Sequence, residues 1–170
     1  MKNIEYQVIG VDECALGYQP QVQQLANIAK NNGAMPYLHE PDEAFFALSL
    51  SHQHVKFFAY HEGKMVGFAV LRVLHQWPVY FDFLAQPCQL SALVLIALVD
   101  PQYRGLGIGR EFLVRRIDAA RQIGVKHLYV TVHPQNSVNI KLLRSNGFET
   151  IATREIFSTQ SLRQIMYRAL

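Results

Sequence analysis

The feature that most constrains this chain is an apolar run that is followed by closely spaced glycines. Residues Ala92 to Val99 are all apolar, which is typical of a strand buried on both faces of a sheet. Asp100-Pro101 interrupts the run, and a helical pattern begins about ten residues later. Three glycines stand between the two at alternate positions: Gly105, Gly107 and Gly109. Glycines placed there let main-chain N–H groups approach a ligand at the positive end of the helix dipole. The stretch therefore predicts a site for a diphosphate group.

Three strand–glycine–helix motifs bind phosphates in this way, and two of them fit poorly. The phosphate loop of nucleotide hydrolases ends in Gly-Lys-Ser/Thr, but no Lys follows these glycines. The dinucleotide fingerprint Gly-x-Gly-x-x-Gly, counted from Gly105, would place its third glycine at Arg110. That fingerprint also needs an acidic residue at the end of the next strand, whereas Lys126 to His133 contains none.

The third motif fits better. Residues 104–109, Arg-Gly-Leu-Gly-Ile-Gly, resemble the Arg/Gln-x-x-Gly-x-Gly/Ala signature of the GCN5-related N-acetyltransferase (GNAT) superfamily. Residues 99–104 also resemble the lead-in to that signature from the family's fourth strand. Further along, Leu128 to Val132 predicts a strand, and Asn136 and the segment Leu-Leu-Arg-Ser-Asn-Gly-Phe at 142–148 follow it. This arrangement resembles the family's second motif. The resemblance implies an acetyl-CoA-dependent N-acyltransferase whose loop amides bind the pyrophosphate of coenzyme A.

The resemblance also implies which residues contact acetyl-CoA. The main chain of Leu98 and Val99 would hold the pantetheine arm and polarise the thioester carbonyl. Asn136 and Asn139 match positions that lie beside the cofactor in the family, although Asn136 could equally serve as a helix N-cap. The other expected contacts form the glycine loop and its flanks: Arg104, Gly105, Leu106, Gly107, Ile108, Gly109 and Arg110.

Proton transfer is where the sequence departs from the family. Many members carry a Tyr just before the x-x-x-Gly-Phe ending, and that position is Leu143 here. Many also carry an acid on the fourth or fifth strand, but Ala92 to Val99 has no ionisable side chain and the matching place on the fifth strand is Thr131. The catalytic residues therefore stay unassigned. Three side chains could supply a base through water: Glu40, His39 and Asp82.

This departure leaves an alternative function open. The chain could be a catalytically silent module that binds acyl-CoA for regulation or partner contact, because both functions need the glycine loop. His133, at the end of the fifth predicted strand, is interpreted as a turn residue rather than a catalytic one. His52 and His54 alternate along an exposed connector with no Cys or acid nearby, so no metal site is expected.

The order of predicted elements gives a mixed α/β fold. Apolar periodicity predicts these strands: Ile4–Val11, Val55–Tyr60, Met65–Leu74, Ser91–Val99, Lys126–Val132, Glu149–Phe157 and Leu162–Tyr167. Helices are predicted after Pro20, Pro41 and Gly109 and over Ser137–Ser145. We expect one domain over residues 1–170, with a mostly antiparallel sheet of six or seven strands and helices on both faces, as in the GNAT fold. In that fold the fourth and fifth strands splay apart. On the third helix, Arg116 lies on the apolar arc and is expected at its rim, with its head in water.

Composition excludes several other classes of protein. Half of the 170 residues are hydrophobic and 17% are charged, which is ordinary for a globular protein. The net charge is +3 without a run of Lys or Arg, so nucleic acid is not expected as a partner. The two cysteines fit a reducing compartment, and the longest apolar run is too short to span a membrane. We therefore expect a cytoplasmic protein with no membrane partner. Its acceptor would be a small-molecule or peptide amine bound between residues 34–40 and the aromatic connector at 75–89, and a homodimer is possible.

Overall fold

A computed structural model describes residues 3–31, 41–156 and 161–170. Within them the sheet has seven strands in the order β1-β2-β3-β4-β5-β7-β6. The strands are β1 (Glu5–Ile9), β2 (His54–His61), β3 (Lys64–Val73), β4 (Ser91–Val99), β5 (His127–Val132), β6 (Glu149–Ile156) and β7 (Ser161–Ala169). The helices are α1 (Gln19–Asn31), α2 (Glu43–Leu50), α3 (Ile108–Gln122) and α4 (Ser137–Ser145). Every predicted strand and helix is present. The observed bounds of these elements differ from the predicted ones by a few residues. Phe157, the predicted end of the sixth strand, lies outside the described residues.

The sheet is mixed because one of its pairings is parallel. Strands β4 and β5 run parallel, and every other described pairing is antiparallel. The parallel pairing joins only Ser91–Leu93 to His127–Tyr129. Beyond it β4 continues beside β3, whereas β5 continues beside β7. The two strands therefore separate in the middle of the sheet.

A β-bulge in β4 lies where this separation begins. Between the pairs Ala69↔Ala97 and Leu71↔Val94, β3 advances by two residues and β4 by three. Because of the extra residue, the side chains of β4 on either side of the bulge lie on opposite faces of the sheet from those that regular alternation would give. Val94 packs in the cluster with α3, whereas Ile96 packs in the cluster with α1 and α2. The bulge thus reorients the part of β4 that borders the gap.

Helices cover both faces of the sheet. On one face, α1 and α2 bury Val22, Leu25 and Phe46 against the inner residues of β2 and β3. On the other face, α3 and α4 bury Phe112, Ile117 and Ile140. The predicted mixed, mostly antiparallel sheet with helices on both faces is confirmed. None of the described helices is both long and apolar enough to cross a membrane.

The aromatic connector between β3 and β4 forms a third cluster. It contains two short 3₁₀ turns, Val79–Phe81 and Cys88–Leu90, and it does not extend the neighbouring strands. Phe81 is fully buried, and Trp77 packs edge-on against Tyr129 of β5 at 5.4 Å between ring centroids. These side chains form part of the core.

Candidate active site

A cleft of about 580 Å³ lies where β4 and β5 separate. It is lined by β4, by the glycine loop, by the first turns of α3, and by β5 and α4. Most of the residues expected beside the cofactor line this cleft: Val99, Arg104, Gly105, Gly107, Ile108, Gly109, Arg110, Asn136 and Asn139. Leu98 does not, because its side chain packs in the cluster with α1 and α2, and Leu106 lies on the loop with 47% of its surface exposed.

Asp100 fixes the path of the chain from β4 into the loop. Its carboxylate is buried, and it accepts hydrogen bonds from the N–H of Gln102 at 3.0 Å and from Lys64 Nζ at 2.9 Å. The bond to Asp100 raises the pKa of the Lys64 ammonium. A single 3₁₀ turn follows, Pro101–Tyr103, whose Tyr103 side chain is buried. The loop therefore begins from a fixed point at the edge of the cleft.

The main-chain amides at the start of α3 have no hydrogen-bond partner among the described residues. Gly107 is the N-cap residue with φ 80° and ψ 2°, a left-handed conformation that favours glycine. The first hydrogen bond of α3 runs from the N–H of Glu111 to the carbonyl of Gly107 at 2.9 Å, so the preceding amides have no partner within the helix. No described side chain caps them. A Cβ built at Gly105, Gly107 or Gly109 would have no atom within 4 Å.

The charged residues lining the cleft are basic. They are Arg104 and Arg110 at the loop and Arg116 on α3. None of the described residues that line the cleft carries a carboxylate. Together with the unpaired amides and the positive end of the α3 dipole, this arrangement attracts an anionic ligand.

Arg116 corrects an expectation drawn from the sequence. The guanidinium does not reach water at the rim of the helix, because Arg116 is only 4% exposed. It lies against the β4 bulge, where Nη1 is 3.4 Å from the carbonyl oxygen of Ile96 and Nε donates to the carbonyl of Phe112 at 3.1 Å. Burial lowers the pKa of the Arg116 guanidinium to about 9, so it is still charged at neutral pH.

The start of α4 closes the far side of the cleft. Asn136 is its N-cap, with Oδ1 accepting from the N–H of Asn139 at 3.2 Å. The capping role expected for Asn136 is therefore present, and both side chains also line the cleft. Leu143 lines it as well and is 1% exposed.

Comparison with known proteins identifies the family. The profile of the Acetyltransferase (GNAT) family matches residues 22–148, which is most of the chain. The chain belongs to the GNAT family.

Individual relatives agree with this assignment. The [ribosomal protein bS18]-alanine N-acetyltransferase of Escherichia coli is 28% identical over 123 residues, which cover 72% of this chain and 74% of that protein. A GNAT from Kribbella flavida superposes with a TM-score of 0.71 at 24% identity, covering 97% of this chain and 98% of that one. YncA of Salmonella typhimurium, a putative acetyltransferase solved with acetyl-CoA, gives a TM-score of 0.69 at 20% identity and covers 97% of this chain and 94% of that one. The expected membership and fold are confirmed.

This GNAT has few candidates for proton transfer among its described residues. Asp82 does not line the cleft, and its carboxylate lies 3.1 Å from Arg154 Nη1. Glu40 and His39 lie outside the described residues. His133 lines the cleft, and its Nδ1 accepts from the N–H of Gln135 at 3.2 Å, so in the neutral ring Nε2 carries the hydrogen.

The histidines near β2 differ from the sequence-based expectation. His54 does not lie on an exposed connector, because it begins β2 and is 2% exposed. Within residues 3–31, 41–156 and 161–170, no group of three or more His, Cys, Asp or Glu side chains could hold a metal ion.

Sequence reasoning missed Arg116 as a residue of the site. Its signal was present, because an arginine on the apolar arc of an amphipathic helix faces the core rather than water. What the sequence did not contain was the β4 bulge, whose free carbonyl gives the guanidinium a partner.

Proposed function

We propose that this protein transfers an acetyl group from acetyl-CoA to a primary amine by direct attack in a ternary complex. The observation that carries the proposal is that unpaired amides at the start of α3 and the gap between β4 and β5 share one cleft, whose described lining residues carry no carboxylate. A pyrophosphate needs such amides, and an extended acyl-bearing arm needs such a gap. The acetyl-CoA complex of the Salmonella relative supports the choice of donor.

Each part of the cleft would bind one part of the donor. The amides of Leu106 to Gly109 would hold the pyrophosphate, and Arg104 and Arg110 would add charge at the mouth. The pantetheine arm would lie along Leu98 and Val99, while Asn136 and Asn139 would contact the cofactor from α4. Binding of this kind positions the thioester before any proton moves.

The chemistry can proceed without a dedicated acid. A thiol has a pKa of about 8.5, so the thiolate of CoA can leave without prior protonation. An alkylammonium has a pKa of about 10.4 and must lose a proton before it attacks. The described residues that line the cleft offer no carboxylate for this step, so we propose that the amine enters neutral or loses its proton through water.

The acceptor is proposed only as a class. The Escherichia coli relative acts on an alanine of a ribosomal protein, so a small-molecule amine or a peptide amino terminus is compatible with the family. We propose that it binds beside the aromatic connector; residues 34–40, the other wall predicted for it, lie outside the described residues. A cytoplasmic location, a single domain over 1–170 and a homodimer stay predictions.

The alternative is a silent acyl-CoA-binding module, which is favoured by Leu143 at the usual Tyr position and Thr131 at the usual acid position. A thiol-release assay with acetyl-CoA and a panel of amines, amino acids and peptides separates the two functions. The proposal predicts amine-dependent release of CoA. Calorimetric binding of acetyl-CoA without release for any amine would instead identify the module.

A further inference from the structure

Arg116 is an unusual group for the floor of this cleft. It is 4% exposed, lines the cleft and forms no ion pair with any described residue. Burying a guanidinium without a counter-charge is unfavourable, and two main-chain carbonyls compensate only part of this penalty. A residue retained at that cost in a binding cleft is a candidate for contact with the ligand.

The hydrogen bonds of Arg116 leave one terminal nitrogen for the cleft. Nε donates to Phe112 and Nη1 approaches Ile96. Nη2 has no hydrogen-bond partner among the described residues, and the side chain lines the cavity. The guanidinium is thus anchored on two sides and presents a single N–H-bearing nitrogen to whatever occupies the gap.

The position of Arg116 along the cleft corresponds to the acyl end of the donor. Its Cα follows that of Gly109 by seven residues, about 10 Å along the axis of α3, and its head folds back to the carbonyl of Phe112. It also lies beside Ile96, three residues deeper in β4 than Val99. An arm that starts at the loop and runs along β4 therefore brings its far end, not its phosphates, towards Arg116.

We infer that Arg116 is a catalytic residue whose Nη2 donates a hydrogen bond to the thioester carbonyl oxygen of bound acetyl-CoA. This inference rests on the proposed function. The amine lone pair attacks the carbonyl carbon, a C–N bond forms, and the carbonyl π electrons move onto the oxygen beside the guanidinium. The C–S bond then breaks, CoA leaves as the thiolate, and the amine proton passes to water. A fixed cation at the oxygen stabilises the charge that develops in the first step.

The geometry favours a carbonyl oxygen over an acyl carboxylate. Carboxylate recognition by arginine commonly uses two parallel N–H groups of the fork. In this protein Nε and Nη1 each already donate to a main-chain carbonyl, so the Nε side of the fork is not open to a carboxylate. Nη2 keeps both of its N–H groups, and one of them suits a single carbonyl oxygen.

The test compares Arg116→Met with Arg115→Met, which makes the same change on the same helix outside the cleft lining. Arg115 pairs with Glu111 at 2.8 Å. We expect Arg116→Met to lower kcat by about 100-fold while the calorimetric Kd for CoA stays near that of the wild type. We expect Arg115→Met to change neither, and Arg116→Lys to fall between. Arg116→Gln, which keeps a donor, replaces the Met variant if thermal unfolding shows that the latter does not fold.

A second readout reports the hydrogen bond itself. The infrared band of the carbonyl of [1-¹³C]acetyl-CoA should move to lower frequency on binding to the wild type, because a charged donor polarises the bond. The frequency shift should be absent in the Arg116→Met variant. The Arg116→Gln variant should retain part of it. A purely structural role would leave the shift intact in any variant that still binds.

Each other outcome overturns a specific claim. An unchanged kcat with an unchanged infrared shift overturns the role of Arg116. The role of Arg116 is also overturned if Arg116→Met loses as large a factor in CoA affinity as in kcat. It is overturned as well if the wild type prefers succinyl-CoA and Arg116→Met abolishes that preference. A wild type that does not bind acetyl-CoA overturns the proposed function and this inference together. Binding with an Arg116-dependent shift but no turnover of any amine overturns the transferase function and leaves the hydrogen bond established.

Discussion

His54 has a buried imidazole without a hydrogen-bond partner on either ring nitrogen among the described residues. Burial lowers the pKa of His54 from 6.5 to about 4; the main chain of Gln53 opposes this shift, and the positive charges of Arg72 and Lys56 add to it. The folded protein therefore holds a neutral imidazole over a pH range in which the unfolded chain protonates it. This difference links a single side chain to the pH dependence of stability.

The sign of the linkage follows from the direction of the shift. Between pH 6.5 and about 4 the unfolded chain binds the proton and the folded protein does not, so the free energy of unfolding falls as the pH falls. The expected loss is about 3 kcal/mol across that window. Urea unfolding at pH 7 and pH 4 measures it. His54→Leu should remove this component, whereas His52→Leu, at an exposed position, should not. Equal pH dependence in both variants would contradict the assignment.

Lys56 shows how far a single residue can depart from its sequence pattern. It lies in β2 with no exposed surface, and its Nζ is surrounded by the carbonyl oxygens of Gly10, Glu13, Ser51 and His54, which share its three N–H groups. A lysine in a strand is usually expected at the surface. Two of these carbonyls, those of Gly10 and Glu13, come from a distant segment of the chain, and no local pattern encodes their meeting with Lys56.

The glycine loop is the element on which binding depends, and matched variants separate strain from ligand contact. Gly107 and Gly63 have φ of 80° and 76°, and an added Cβ at either would meet no atom within 4 Å. Alanine at either position should therefore reduce stability by a similar amount, about 1 kcal/mol. Only Gly107→Ala should also weaken CoA binding, by at least about tenfold, because Gly63 lies in the β2–β3 turn.

Gly109→Ala is the complementary control for the loop. Gly109 has no positive φ and has open space at its Cβ, and the GNAT signature accepts Ala at this position. Calorimetric titration with CoA should therefore find nearly unchanged affinity for this variant. If the Gly107→Ala variant binds CoA as tightly as the Gly63→Ala variant, the loop is not the phosphate site.

The packing of α3 on the sheet depends on Gly67 of β3. A Cβ there would lie 2.8 Å from Cε2 of Phe112 and 3.2 Å from Cβ of Ala59, and Phe112 is fully buried. Gly67→Ala should lower the free energy of unfolding by about 1–3 kcal/mol, because it overpacks the core. Gly17→Ala, which meets no atom within 4 Å, is the control.

A double-mutant cycle tests the cause of that loss. If the added methyl clashes with the ring, Phe112→Leu should recover much of the stability lost in Gly67→Ala, giving a coupling energy of about 1 kcal/mol or more. Additive losses in urea unfolding would mean that the methyl and the ring do not interact.

For the molecule as a whole, the elements and their order could be predicted, and the features that shape the cleft could not. Periodicity located every strand and helix because it reports which face of each element is buried. The β4 bulge left no such signal, since it is a difference in register between two strands. The burial of Arg116 and of His54 depends on neighbours distant in the chain, so both were placed wrongly. Asp82 was predicted as one of three side chains that could supply a base through water, and only the structure shows that its carboxylate pairs with Arg154.

The central claim is that main-chain amides at the start of α3 hold the pyrophosphate of a CoA donor. Titrating the ¹⁵N-labelled protein with CoA and recording amide chemical shifts tests it most directly. We expect the largest shifts at the amides of residues 105–110, smaller shifts along Leu98 and Val99, and none at Gly63. Saturation with CoA that leaves the amides of residues 105–110 unmoved would contradict the claim.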